Sequence, residues 1–243
     1  MNGDSDLVFL ADGAATCGIP LDQAQLAAFA RYRELLLDWN TRVNLTAITA
    51  PQEILTRHFL DSLTCLLAVP EVQWGAPARL IDIGSGAGFP GLPLAMVCPN
   101  WHVTLLEATG KKVRFLEAVI SELGLENVVT RHGRAEEMAR DLSWRGSYDL
   151  ATARAVASLP TLLEFCSPFL SPGGLMLLPK KGDLAEEMTA GRSAAPHLGV
   201  RLLDPIPLPF GNDGRVIIPA RQERPCPLLY PRAAGAPVKH PLG

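Results

Sequence analysis

The segment Asp82-Ile83-Gly84-Ser85-Gly86-Ala87-Gly88-Phe89-Pro90-Gly91 constrains this chain more than any other stretch. It follows a short apolar run, Arg79-Leu80-Ile81-Asp82-Ile83, and opens onto a helix-forming stretch. Glycines at alternate positions let the backbone turn sharply between strand and helix and bring its N–H groups against a bound molecule. Three of them in that place argue against a tight turn that holds nothing. A carboxylate, Glu107, closes the next apolar run, His102-Val103-Thr104-Leu105-Leu106-Glu107. At such a strand end a paired acceptor suits the two hydroxyls of a ribose.

Around this loop the chain alternates between two periodicities. Further apolar runs stand at 127–130, 148–152 and 175–178, separated by helical stretches at 111–123, 135–142 and 159–170. Apolar strands alternating with amphipathic helices imply βαβ units and a parallel sheet covered on both faces. Before the sheet, apolar residues recur at helical spacing between Leu21 and Trp39, and a second helix is expected from Pro51 to Val69, where Pro70 stops it. The intervening 44–48 reads as a loop. After the sheet, a helix near 184–197 and strands at 200–203 and 215–219 suggest an antiparallel hairpin at the sheet edge. These patterns divide the chain into an N-terminal helical lobe (1–75), a ligand-binding α/β domain (76–220) and a basic, proline-rich tail (221–243) expected to be extended and partly mobile.

Bulk properties exclude several functions. Hydrophobic residues at 48% and charged residues at 19% belong to a folded chain, and a net charge of −3 leaves any nucleic-acid contact to a local basic patch. The five cysteines, Cys17, Cys65, Cys98, Cys166 and Cys226, lie far apart in no metal-ligand pattern, and the histidines are equally scattered. No metal site is expected, and the cysteines read as reduced, buried thiols. The start of the sequence lacks the basic and apolar regions of a secretory signal, and no apolar run reaches the roughly 20 residues of a membrane span. A cytoplasmic monomer is the expectation.

The glycine loop admits two cofactors. Read from Gly86, it matches GxGxxG, the dinucleotide fingerprint, which alone is weak. Read from Asp82, it resembles motif I of the class I S-adenosylmethionine-dependent methyltransferases. A carboxylate there suits a sulfonium and an ammonium and would repel a pyrophosphate, so Asp82 favours S-adenosylmethionine.

Several further motifs, in order along most of the chain, resemble one family, RsmG or glucose-inhibited division protein B. They are Trp39-Asn40-Thr41-Arg42-Val43-Asn44-Leu45-Thr46, Arg57-His58-Phe59-Leu60-Asp61-Ser62, the glycine loop itself, Lys111-Lys112-Val113-Arg114-Phe115-Leu116, Arg134-Ala135-Glu136-Glu137, Ala153-Arg154-Ala155, Lys181-Gly182 and Tyr230-Pro231-Arg232. The resemblance implies a Rossmann-like class I methyltransferase fold, with a mostly parallel seven-stranded sheet. The implied activity is methylation of N7 of a guanine in 16S ribosomal RNA, on naked RNA or the small subunit. By position it implies cofactor contacts at Asp82, Gly84, Gly86, Gly88, Phe89 and Glu107, the adenine side at Ala135 and Glu136, and Arg154 near the methionine end and the incoming base. Pro179-Lys180-Lys181-Gly182 departs from the family pattern by an extra lysine and a proline.

Guanine N7 carries a lone pair and no proton, so such a reaction needs positioning and a fitted electrostatic pocket rather than a general base. Arg154 is the candidate for orienting the substrate, through O6 or phosphate, since a donor on N7 would block the nucleophile. Lys111, Lys112, Arg114, Lys180 and Lys181 are the RNA-binding candidates. Arg57, His58 and Asp61 share a helix face, as a link between the lobes or as the lining of an RNA entrance. The competing functions are a methyltransferase acting on another RNA, a protein or a small molecule, an NAD-dependent oxidoreductase, and a non-catalytic RNA-binding factor on the same fold.

Overall fold

The computed structural model describes residues 2–154, 157–211 and 213–243, with side chains described from Leu7 onward. Helix α1 (Asn2–Thr16) and helix α2 (Gln23–Asn40) open the chain. The start of α2 is set by Asp22, whose carboxylate accepts from Gln25 N while the Gln25 side chain accepts from Asp22 N. That reciprocal box satisfies N–H groups which a helix start leaves unpaired. The following loop is pinned by one side chain: Asn40 Oδ1 accepts from Leu45 N and Thr46 N, and Asn40 Nδ2 donates to Thr46 O. A continuous helical run over 51–68, α3, comes next, and its middle, Leu55–Leu60, is a π-turn.

The sheet then builds as β1 (Ala78–Ile83), α4 (Gly91–Val97), β2 (Trp101–Glu107), α5 (Gly110–Leu123), β3 (Val128–His132), α6 (Ala135–Met138), β4 (Tyr148–Thr152), α7 (Leu159–Cys166) and β5 (Leu170–Lys180). It is completed by α8 (Ala185–Ala194), β6 (Val200–Leu202), β7 (Ile206–Pro207) and β8 (Val216–Gln222), and α9 (Ala236–Lys239) lies in the tail. The order is β3-β2-β1-β4-β5-β8-β6, with β7 also paired to β8. The first five strands are parallel, and β8 runs antiparallel to β5, β6 and β7. The chain reverses direction in the strand order between β1 and β4, and in open α/β sheets ligands bind at the carboxyl ends of the strands at such a switch.

Successive residues along each central strand are buried against alternate cores. Leu80, Leu105, Leu150, Leu177 and Ile217 face one core, shared with Leu10, Phe29, Tyr32 and Phe59 of the leading helices. Ile81, Leu106, Ala151, Leu178 and Ile218 face the other, packed by Leu162, Leu163 and Phe165 of α7. The helices before Gly75 share this first covering layer of the sheet with α4 and α5, whose Leu92, Leu94, Phe115 and Leu116 lie in the same core. The expected seven strands are joined by an eighth, the two-residue β7, which is too short to announce itself by alternation. Helix 135–142 ends early, at Met138, and β5 begins earlier than the apolar run 175–178.

The tail is docked along its length. Arg145 donates to the carbonyls of Cys226, Pro227 and Tyr230, and Thr161 Oγ1 donates to Pro237 O. Glu164, fully buried, accepts from Arg232 N, Nε and Nη2. Proline and charge suggest an extended, partly mobile chain; the tail is instead anchored, and the buried carboxylate that holds it, Glu164, lies in a different part of the sequence.

Candidate active site

The glycine loop leaves the carboxyl end of β1. Gly84, Gly86 and Gly88 all have positive φ (70°, 61° and 96°). At Gly88 a Cβ would lie 2.4 Å from Leu92 Cδ1 and 2.6 Å from Tyr32 Oη; at Gly86 it would meet only Gly84 O, at 3.8 Å. Gly88 is thus a glycine for packing, and Gly86 a glycine facing open space. Glu107, at the end of β2, bridges this loop and the next: its Oε2 accepts from Gly86 N at 2.9 Å and its Oε1 from Thr109 N at 2.7 Å.

Asp82 is completely buried. Its Oδ2 accepts from Gly91 N at 2.9 Å, and its Oδ1 has no partner among the described residues. Burial pushes this carboxyl up to about 7, against the opposing pull of the Gly91 N–H and the Arg154 charge. A buried acceptor without a partner is costly unless something cationic or donating completes it. The site therefore fits a ligand that presents positive charge here, and does not fit a pyrophosphate.

Phe89 is held on several sides by rings. His58 stacks on it at 4.5 Å and 11°, and Tyr32 at 5.4 Å. Tyr32, buried and with its hydroxyl pushed well above the ordinary range by desolvation, donates to Ala87 O and so ties α2 to the loop. Sequence reasoning passed over Tyr32, which shows in the sequence only as one more apolar position of an amphipathic helix.

Arg154, just beyond β4, has its guanidinium 5.1 Å from the Phe89 ring centroid. Its Nη1 donates to Asp61 Oδ2 at 2.8 Å and to Arg57 O at 3.2 Å. The His58 Nδ1 lies 3.3 Å from Arg154 Nη2, and its Nε2 lies 2.8 Å from the Thr46 hydroxyl. Burial and the neighbouring guanidinium drive the His58 pKa down to about 3, so the ring is neutral at physiological pH. The other oxygen of Asp61 accepts from Arg215 Nη1 at 3.2 Å, and Arg215 Nε donates to Asp213 Oδ1 at 2.8 Å. Arg215, from the start of the final strand, was not singled out by the sequence; nothing in its local context separates it from a surface arginine. Arg57, His58, Asp61, Arg154, Asp213 and Arg215 line a cavity of about 380 Å³ with Ile48, Pro179, Lys180 and Lys181. A second cavity, of about 450 Å³, lies at the opposite, amino end of the strands beside Ala78 and Gly174, away from the glycine loop.

The remaining predicted residues fall into place less uniformly. Ala135 and Glu136 are buried at the start of α6, and Glu136 Oε1 accepts from Gly235 N of the tail at 3.1 Å. Lys111 and Arg114 are exposed at the start of α5, beside the loop after Glu107. Lys180 points inward, donating to Glu187 Oε1 at 2.7 Å and to Ala157 O at 2.8 Å, whereas Lys181 stays at the surface, 3.4 Å from Asp213. Ala155, part of the Ala153-Arg154-Ala155 motif, lies outside the described residues. Among the described residues there is no cluster able to hold a metal ion and no helix long and apolar enough to cross a membrane.

Residues 25–204 match the family model GidB, rRNA small subunit methyltransferase G. The chain belongs to the GidB family. Its relatives in Roseiflexus sp. (strain RS-1) and Alkaliphilus metalliredigens, both called ribosomal RNA small subunit methyltransferase G, are 47% and 40% identical to it. The matches cover 96% and 97% of this chain and 98% of each relative. Among solved structures, the fibrillarin pre-rRNA processing protein of Methanococcus jannaschii is similar at TM-score 0.50 and 17% identity, over 62% of this chain and 69% of that one. A protein described as a predicted O-methyltransferase, from Agrobacterium tumefaciens, is similar at TM-score 0.51 and 18% identity, over 66% and 80%. These two likenesses bear on the fold, which is the Rossmann-like class I methyltransferase fold; the family rests on the sequence matches.

Proposed function

We propose that this GidB-family protein transfers the methyl group of S-adenosylmethionine to N7 of one guanine in 16S ribosomal RNA. The methyl donor is held at the glycine loop, with Asp82 toward its cationic end, Glu107 toward the ribose, and Ala135 and Glu136 at the adenine side. The observation that carries this reading is the unpartnered, buried Asp82 Oδ1 on a loop that also presents open space at Gly86. When bound, the donor supplies an electrophilic methyl on sulfur; the N7–C bond forms as the S–C bond breaks, and the positive charge passes to the guanine ring.

No proton has to leave N7, and the side chains around Arg154 suit that economy. His58, the only imidazole among the described residues of the cavity lining, is neutral and has both nitrogens within reach of other side chains. Arg154 arrives already paired to Asp61, so the pair brings little net charge to a ring that becomes cationic. Lys111, Lys112, Arg114 and Lys181 supply phosphate contacts around the mouth of the site, and Lys180 reinforces that wall through Glu187. The deciding experiment is incubation with labelled S-adenosylmethionine and small subunits lacking this modification, followed by mapping of the labelled base. Label on N7 of a single guanine is expected; label elsewhere, or none despite S-adenosylhomocysteine binding, overturns the substrate assignment.

A further inference from the structure

The cavity between the leading helices and the carboxyl ends of β4 and β5 is built from residues far apart in the chain. Arg57, His58 and Asp61 come from α3, Arg154 from the end of β4, Lys181 from the end of β5, and Asp213 and Arg215 from the approach to β8. Its π-turn places Arg57 and His58 at the rim, and π-turns inside helices recur at functional sites. Five cationic side chains line it, Arg57, Arg154, Lys180, Lys181 and Arg215, of which Lys180 is held by Glu187.

The carboxylates in this lining are spent. Asp61 accepts from Arg154 and from Arg215, and Asp213 faces Arg215 through one oxygen and Lys181 through the other. What the lining offers a ligand is chiefly donors. A phosphate accepts only, and so does the outer edge of guanine, where N7 and O6 are acceptors; adenine places an amino donor beside its N7. The cavity also adjoins the glycine loop through Arg154, which lies over Phe89. Whatever occupies it sits next to the methyl-donor site.

We propose that this cavity is the seat of the target nucleotide, drawn out of its stack, with Arg215 and Lys181 on its phosphate and Arg154 at the O6 edge of the base. Asp61 is the positioning residue that sets the two guanidiniums apart. An enzyme that must reach one base takes it from a loop or flips it out, and needs a separate seat for it. Asp61 divides the labour by geometry: one carboxylate oxygen orients the arginine at the base, the other the arginine at the phosphate. Its negative charge also offsets Arg154 as the guanine ring acquires positive charge. This inference rests on the guanine-N7 reading above.

The test separates affinity from turnover on unmodified small subunits, with S-adenosylhomocysteine binding measured alongside. Arg215→Ala should raise KM for the subunit about tenfold with kcat within about twofold, and should make the salt dependence of binding shallower by about one phosphate contact. Asp61→Asn should instead lower kcat about tenfold or more. Both should bind S-adenosylhomocysteine as the unsubstituted protein does. Arg215→Lys, which keeps the charge and loses the fork, should give an intermediate KM, and it carries the phosphate arm if Arg215→Ala does not fold. Unchanged KM and salt slope in the Arg215 variants, or an Asp61→Asn enzyme with normal kcat, overturns the inference while leaving the methyltransferase reading intact. Absence of guanine-N7 methylation by the unsubstituted protein overturns the reading itself, and this inference with it.

Discussion

Asp82 couples ligand binding to protons. Burial holds its carboxyl at about 7, so near neutral pH it is partly protonated when nothing cationic stands beside Oδ1. A sulfonium or ammonium favours the ionised form. Below pH 7, binding must therefore expel a proton, and affinity should climb with pH, by up to about tenfold per unit, before levelling off above 7. Calorimetry between pH 5.5 and 8.5, in buffers of different ionisation enthalpy, reads both the slope and the proton count. Asp82→Asn should bind more weakly and lose the slope; the same slope in the variant would place the linked proton elsewhere. The sign for folding is opposite. The folded pKa lies above the unfolded one, so the stability Asp82 contributes is full below about 4 and is lost as pH rises through about 7. The two neighbouring glycines separate in the same spirit. Gly86→Val should leave a folded protein, less stable by at least about 1–2 kcal/mol for its left-handed backbone, that no longer binds S-adenosylhomocysteine. Gly88→Ala should lose a further 1–3 kcal/mol or so through the collision with Leu92 and Tyr32. Thermal melts with and without S-adenosylhomocysteine distinguish them, and equal stability loss in both variants would contradict the packing difference.

At the scale of elements, legibility followed contiguity. The glycine loop could be read because strand, turn and helix lie within one short stretch, and the apolar strands could be read because both their faces are buried. Helix α1 escaped as a defined element, since its start is acidic and its apolar positions, such as Leu10 and Ala14, find their purpose only against α3 and the rest of the first core. The cavity escaped for the same reason: Arg154 and Arg215, far apart in the chain, are joined by Asp61, and no local pattern marks the pairing. The tail escaped because its anchor is Glu164, a carboxylate in the middle of the apolar helix α7. That anchor carries a prediction. Arg232→Met leaves the buried Glu164 with one N–H donor in place of a guanidinium, which should cost about 3–5 kcal/mol in urea denaturation. Adding Glu164→Gln to that variant should recover part of the loss, because the uncompensated charge is then gone. Additive losses in the double variant would mean that the pair does not act as a unit.

Taken whole, the protein has one sheet and two cores, and the boundary near Gly75 that the sequence suggests does not separate them. Tyr32 and Phe59 from the leading helices touch Phe89 of the glycine loop, and Phe29, Leu36 and Ile54 belong to the same buried cluster as Leu92, Leu105 and Leu177. Removing those helices would uncover the part of this core that α4 and α5 do not cover, at about 25 cal/mol for each Å² of apolar surface exposed. The leading helices and the sheet should therefore unfold together. Trp39 reports on the first core and Trp144 on the second, across the sheet. In variants that keep only one of these tryptophans, fluorescence and far-UV circular dichroism should give coincident denaturation curves, as a two-state transition requires. A Trp39 signal lost at lower denaturant than the Trp144 signal would make the helical lobe a separate folding unit. The shared cavity could then open by lobe detachment, and Asp61, which carries the contact from that lobe to Arg154 and Arg215, would be the contact that detachment breaks.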